Sequence, residues 1–219
     1  MKIALIDDHP IIIEGYKSIL ISKKIESDEN IAVLCSLAEA YTFIKENAEN
    51  QVVIDLFVID YNMPENIENN LYNGEDLAHQ IRLFLPNAKI VLLTSIATPI
   101  LLFEIIQRLQ PEGLWLKSDI GMLSFLNHTT SVLSGTTVYS ESVNKAYRNV
   151  AKYTSILDET NRKILLLLND GIKTKNLPDY LNLSIDTINH RKSDLKTLLG
   201  LDKSDDFELL KKAKMLGLL

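Results

Sequence analysis

"KIALIDDHP", residues 2–10, runs through Ile3, Ala4, Leu5 and Ile6 and then sets Asp7, Asp8 and His9 side by side before Pro10. An apolar run without in/out alternation is the pattern of a strand covered on both faces. Four more runs follow: "IAVLCS" (31–36), "DLFVID" (55–60), "KIVLLT" (89–94) and "GLWLKS" (113–118). Between them lie stretches of helical length with apolar residues three or four apart, such as Leu77, Ile81 and Leu85. Strand and helix alternate five times, so an α/β domain with a parallel five-stranded sheet and helices on both faces is expected. Ligands of such sheets gather at the carboxyl ends of the strands. The residues at those ends are Asp7 and Asp8, Asp60, Thr94 and Ser95, and Lys117.

Three carboxylates, a hydroxyl and an ammonium on one edge define a chemistry. Mg²⁺ takes oxygen ligands in octahedral array and keeps several waters, so a few carboxylates and one carbonyl suffice to hold it. Asp60 could then attack a phosphorus atom as a carboxylate nucleophile. Lys117 would balance one phosphoryl oxygen and Thr94 would donate to another. His9 is read as structural, because Pro10 suits the first position of a helix, where its missing N–H is not needed.

Charge divides the chain. Residues 1–135 hold 9 Lys/Arg against 18 Asp/Glu, residues 136–155 hold 3 against 1, and residues 156–219 hold 11 against 10. The first part repels polyanions, whereas the last does not. The single cysteine, Cys35, reads as a small hydrophobe on a strand in a reducing compartment, with the cytoplasm as the expected location. No run of apolar residues is long enough to suggest a membrane span. Residues 136–155, rich in Ser, Thr and Tyr, read as a linker with helix at "SESVNKAYRNVA". Beyond it, four short helices are expected, in "DETNRKILLLLND", "KTKNLPDYLN", "SIDTINHRKSDLKTLL" and "SDDFELLKKAKML".

"LIDDHP", "VIDYNMP", "LLTS" and "LWLKSD", in this order and spacing, resemble the receiver domain of two-component response regulators over roughly residues 1–135. The resemblance implies a flavodoxin-like (βα)5 fold, Asp60 as phosphoacceptor, and Mg²⁺ held by Asp7, Asp8, Asp60 and the backbone carbonyl of Asn62. It implies Thr94 and Lys117 as the hydroxyl and lysine of the site. Thr94 and Trp115 fall at the switch positions, Trp115 where the family usually has Tyr or Phe. One departure is the length of "MPENIENNLYNGEDL": Gly74 comes ten residues after Pro64 instead of about four, so residues 65–73 read as a surface insertion.

Residues 156–219 resemble the LuxR-type helix-turn-helix of the NarL/FixJ family, most closely in "LNLSIDTI" and the spacing of Leu195, Leu199 and Gly200. Ser184 is the expected N-cap of the recognition helix. Lys175, Ser184, Thr187, Asn189, His190, Arg191, Lys192 and Lys196 are the candidate DNA contacts, Asn and Arg suiting base edges and Lys and Thr suiting phosphates. Asn161, Asn189 and Arg191 replace the family's usual Glu, Lys and His, and Pro178 falls in the scaffold helix, where a first-turn position would accommodate it. The expectation is a non-enzymatic transcription factor, phosphorylated on Asp60 by a sensor histidine kinase with Mg²⁺, that binds double-stranded DNA as a homodimer without a membrane partner. The alternatives are a phosphorylated adaptor acting by protein contacts and a Mg²⁺-dependent phosphohydrolase. The phosphohydrolase reading expects a second acid where Asn62 stands.

Overall fold

A computed structural model describes residues 1–153, 157–201 and 204–219. The expected boundary at 155/156 lies outside the described residues. The chain divides into two compact units, residues 1–97 with 105–143 and residues 98–104 with 144–219.

In the first unit the apolar runs form β1 (Ile3–Ile6), β2 (Ile31–Leu34), β3 (Leu56–Asp60), β4 (Lys89–Thr94) and β5 (Gly113–Leu116). A sixth strand, β6 (Val138–Tyr139), extends the sheet. The order is β2-β1-β3-β4-β5-β6 and every pairing is parallel. The expected five-stranded sheet is thus corrected to six. The extra strand lies in the stretch read as linker and has only two residues, too few for any periodicity to show.

Register places equivalent residues side by side: Ile3 pairs with Leu56, Leu56 with Lys89, and Val91 with Gly113. Side chains alternate between faces. Ile3, Leu5, Leu56, Val58, Val91, Leu93 and Trp115 share one core with Ile13 and Leu20 of α1 (Pro10–Ser22) and Phe125 and Val132 of α5 (Met122–Leu133). Leu37, Ala40 and Ile44 of α2 (Leu37–Glu49) and Leu77, Ala78 and Ile81 of α3 (Gly74–Phe84) are buried, and these two helices pack together. The remaining helix that begins within the strand–helix alternation is α4 (Pro99–Leu109). Cys35 lies one residue beyond β2 and is half-buried, so it is not the buried strand residue expected.

Local chemistry sets the helix starts. Ser36 accepts from the amide of Glu39 at 3.2 Å, and Asn73 from those of Glu75 and Asp76 at 2.8 and 3.1 Å. Each satisfies an amide that the first turn leaves free.

The α6 helix (Glu141–Ala151) matches the helix expected inside the linker. In the second unit α7 (Glu159–Asn169), α8 (Pro178–Leu181), α9 (Ile185–Leu198) and α10 (Asp206–Met215) are the four expected helices, with a 3₁₀ turn at Thr174–Asn176 ahead of α8. Pro178 takes the first position of α8, where it breaks no helical hydrogen bond. Asp158, Ser184 and Asp205 cap α7, α9 and α10 through the amides of Asn161, Thr187 and Glu208. Leu165, Leu168, Ile188, Leu195, Leu199 and Leu209 are buried together. Among the described residues no helix is long and apolar enough to cross a membrane.

Candidate functional site

Asp7, at the carboxyl end of β1, and Asp60, the last residue of β3, are both 2% exposed. Lys117, one residue past β5, places its Nζ 2.9 Å from Asp60 Oδ2 and 3.0 Å from Asp7 Oδ2. The pairing β1–β3–β4–β5 explains the convergence, because equal register at the strand ends brings residues 53 and 110 positions from Asp7 to one edge. Burial pushes the Asp60 carboxyl up, with the Lys117 ammonium and the amide of Asn62 opposing. Burial works to lower Lys117, but its hydrogen bonds to Asp60 and Asp7 carry it upward. The ammonium is therefore held firmly charged between two carboxylates.

Asn62 donates its amide to Asp60 Oδ1 at 3.2 Å, which orients the carboxylate. Thr94 is fully buried at the end of β4, where its Oγ1 accepts the amide of Ile96 at 3.0 Å. Its register partner on β5 is Leu116, the residue before Lys117.

His9 is the N-cap of α1 by backbone position, ahead of Pro10 as expected, but its ring makes no capping hydrogen bond. Nδ1 instead stands 3.0 Å from Asp7 Oδ1 and 2.9 Å from Asp8 Oδ1. Its pKa is raised, chiefly by the hydrogen bond to Asp7 and the charge of Asp8. Asp8 Oδ1 is buried and attracted by the imidazole yet makes no hydrogen bond. Asp7, Asp8, His9 and Asp60 each offer one ligand atom within 4.8 Å of the others. Three carboxylates, one with a buried oxygen that accepts no hydrogen bond, fit a hard divalent cation that prefers oxygen.

The stretch after Asp60 has internal structure. Asn66 and Leu71 form an antiparallel bridge, Asn66 accepts from the amide and side chain of Asn69, and Asn70 turns left-handed at φ 54°. The extra residues are a small hairpin anchored by the fully buried Leu71. The chain therefore returns to its starting point, and Gly74 donates its amide to the Tyr61 carbonyl at 2.9 Å. A Cβ on Gly74 would lie 2.2 Å from the carbonyl oxygen of Asp60, so only glycine fits behind that residue.

Trp115 is fully buried, with its ring edge-on to Phe125 at 5.9 Å and beside His128 at 5.4 Å. Its indole N–H donates to the carbonyl of Val138 on β6 at 2.8 Å. Gly113 makes room, since a Cβ there would meet the indole nitrogen at 3.0 Å. Ser140 accepts the amide of Leu116 at 3.0 Å, and Asp119 takes both the amide and the hydroxyl of Ser142 at 2.9 Å. Residues 138–142 are thus tied to the strand that leads into Lys117. Nothing in "TTVYS" signals this, because the stretch reads as tether.

On α9, Ser184, Thr187, Asn189 and His190 are exposed as expected. Arg191 is directed to the start of α7, with Nη1 2.7 Å from Asp158 and 3.2 Å from Asn161. Lys192 is buried and bonds Asp206 at 2.6 Å and the hydroxyl of Thr174. Lys196 reaches the carbonyl of Ser204 at 2.7 Å. Lys175 is exposed on the turn before α8.

No protein-family model matches the chain. The transcriptional regulatory protein ComA of Bacillus subtilis is 36% identical over 95 residues, which span 43% of this chain and 39% of that protein. The transcriptional regulatory protein MctR of Rhizobium johnstonii is 24% identical over 92% of this chain and 88% of its own length. The oxygen regulatory protein NreC of Staphylococcus aureus is 27% identical over 99% of both chains. In fold, the chain is similar to RcsB in a structure of two RcsB dimers bound to two parallel DNAs, with a TM-score of 0.62 and 23% identity over 98% of both chains. The isolated REC domain of RcsB from Salmonella enterica serovar Typhimurium matches 67% of this chain with a TM-score of 0.53 and 22% identity. The chain is thus similar along nearly its whole length to bacterial transcriptional regulatory proteins, and it shares the fold of RcsB.

Proposed function

We propose that the chain is a DNA-binding transcriptional regulator switched by phosphorylation of Asp60. The observation that carries this reading is the meeting of Lys117 Nζ with Asp60 at 2.9 Å and with Asp7 at 3.0 Å at one edge of the sheet. The phosphodonor would be the phosphohistidine of a sensor kinase. A carboxylate oxygen of Asp60 forms the new bond to phosphorus as the P–N bond breaks, and the donor imidazole departs with the electron pair. Mg²⁺, held by Asp7, Asp8, Asp60 and the carbonyl of Asn62, would supply charge neutralisation for the phosphoryl oxygens. Lys117 would exchange a carboxylate partner for a phosphoryl oxygen, and the Thr94 hydroxyl would donate to another.

Asn62 stands where a hydrolytic second acid is needed, which favours a phosphoryl group that is held as a signal over one that is turned over. We assign residues 1–135 to the receiver, 136–155 to the linker and 156–219 to the DNA-binding domain, acting in the cytoplasm. Phosphorylation shifts the receiver between two conformations and with it the propensity of the chain to form a homodimer on two half-sites. Trp115 belongs to that shift through β6. The test is selection from a pool of random duplexes by the full chain with acetyl phosphate and Mg²⁺. Enrichment of a paired half-site sequence by wild type, lost in Asp60→Asn, is expected. Failure to retain any duplex, with or without the phosphodonor, would refute DNA binding.

A further inference from the structure

The outer arc of α9 carries two acids, Asp186 and Asp194, and its three cations all turn away from it. Arg191 pairs with Asp158 of α7 at 2.7 Å. Lys192, with 8% of its side chain exposed, pairs with Asp206 of α10 and bonds Thr174. Lys196 lies 3.4 Å from Asp206 and donates to Ser204. The cleft between α9 and α7 is lined by Asp158, Asn161, Asp186, His190, Arg191 and Asp194 and is acidic on balance. The opposite flank presents the uncharged Asn189, Ser193 and Thr197 beside Lys192 and Lys196, whose ammonium groups are taken up by Asp206, Thr174 and Ser204. Phosphate attraction grows with the number of phosphates that cations neutralise, so this arc contributes little of it.

Cations are available nearby. Lys173 and Lys175 flank Thr174 on the 3₁₀ turn that packs against α9, both exposed and without an ion pair among the described residues. The Lys192–Thr174 hydrogen bond fixes that turn beside the helix.

Resting on the DNA-binding reading above, we infer a division of labour. Lys173 and Lys175 hold the phosphates, Asn189 and Ser193 read base edges, and Arg191, Lys192 and Lys196 build the domain and touch no DNA. Lys192 is a positioning residue for the lysine turn. Asn189 matches the two-point hydrogen bonding of adenine, which asparagine recognises in the major groove.

The experiment measures binding of the full chain to a random-sequence duplex as a function of salt. Each phosphate contact contributes about 0.9 to the slope of log K against log salt. Lys173→Ala with Lys175→Ala is expected to lower the slope by about 1.8 per protomer and to leave the melting temperature unchanged. Lys196→Met is expected to lower the melting temperature and leave the slope intact. Lys192→Met, which frees the lysine turn, is expected to lower both. Asn189→Ala keeps the slope and loses an adenine from the sequence that wild type selects. A slope that falls in the Lys196 variant, or survives loss of Lys173 and Lys175, overturns the inference while DNA binding stands. A wild type that binds no duplex overturns the DNA-binding reading itself, and the inference with it.

Discussion

Replacing Gly74 by alanine should damage the proposed phosphoacceptor, Asp60, from behind. The added Cβ would stand 2.2 Å from the Asp60 carbonyl oxygen and 3.0 Å from both the carbonyl carbon and Ile59 Cγ2. Ordinary contacts begin near 3.5 Å, so something must move by about 1 Å. The Gly74 amide is held by the Tyr61 carbonyl, and the Asn73 cap holds the helix start, so the movement falls on the end of β3. Overpacking of this kind costs roughly 1–3 kcal/mol, which in a chain of this size lowers the melting temperature by about 2–4 °C per kcal/mol. A displacement of about 1 Å at a reacting group costs on the order of 10²-fold in rate. Phosphorylation by acetyl phosphate, followed by intact mass over time, measures that rate. Gly15→Ala is the control: it lies within α1 with nothing within 4 Å and should stabilise by about 0.5–1 kcal/mol. A Gly74→Ala chain with wild-type melting and wild-type phosphorylation would refute the reasoning.

Other outcomes follow from neighbouring contacts. Trp115→Phe keeps the ring and deletes the donor to Val138, which should speed hydrogen exchange at the amides of Val138 and Ser140; unchanged exchange would show that the indole does not hold β6. Burial lowers the pKa of His128 below its ordinary 6.5, against the pull of Asp119, so the native fold favours the neutral ring. Its contribution to stability is present above pH 6.5 and is lost as pH falls through the lower folded value. Protonation next to the only tryptophan should quench its emission with a midpoint below 6.5, and persistence of that quenching in His128→Asn would assign it elsewhere. For Asp119, burial acts to raise the pKa, but hydrogen bonds from Ser140 and Ser142 prevail and lower it from 3.8. Its stabilisation is present above 3.8 and disappears as pH falls through the folded value, so Asp119→Asn should flatten the acid side of a melting-temperature profile.

The sheet and its edge were legible because central parallel strands are apolar throughout and end in the residues that matter. Asp7, Asp60 and Lys117 meet because equal register carries them to one edge, and register follows from the fold class. Tertiary bonding was not legible. The donor of Trp115 finds β6, two residues long, which no periodicity can announce. The segment 65–73 closes into a hairpin because Asn66 pairs with Leu71 and Asn70 accepts a left-handed turn, and the return of Gly74 to Asp60 depends on that closure. His9 faces Asp7 and Asp8 by local proximity, although Pro10 beside it signals only a helix start. On α9 the spacing of Ile188, Leu195 and Leu199 identified the inner face, and Lys192 falls on it. A lysine there would be expected outside, but Asp206 and Thr174 supply the partners that make its burial tolerable.

The central claim is that Asp60 receives a phosphoryl group. Wild type and Asp60→Asn are incubated with acetyl phosphate and Mg²⁺, and the intact mass is read before and after hydroxylamine, which cleaves acyl phosphates. Wild type is expected to gain one phosphoryl group that hydroxylamine removes, and Asp60→Asn none. A wild type that gains no phosphoryl group, or an Asp60→Asn chain that gains one, would contradict it.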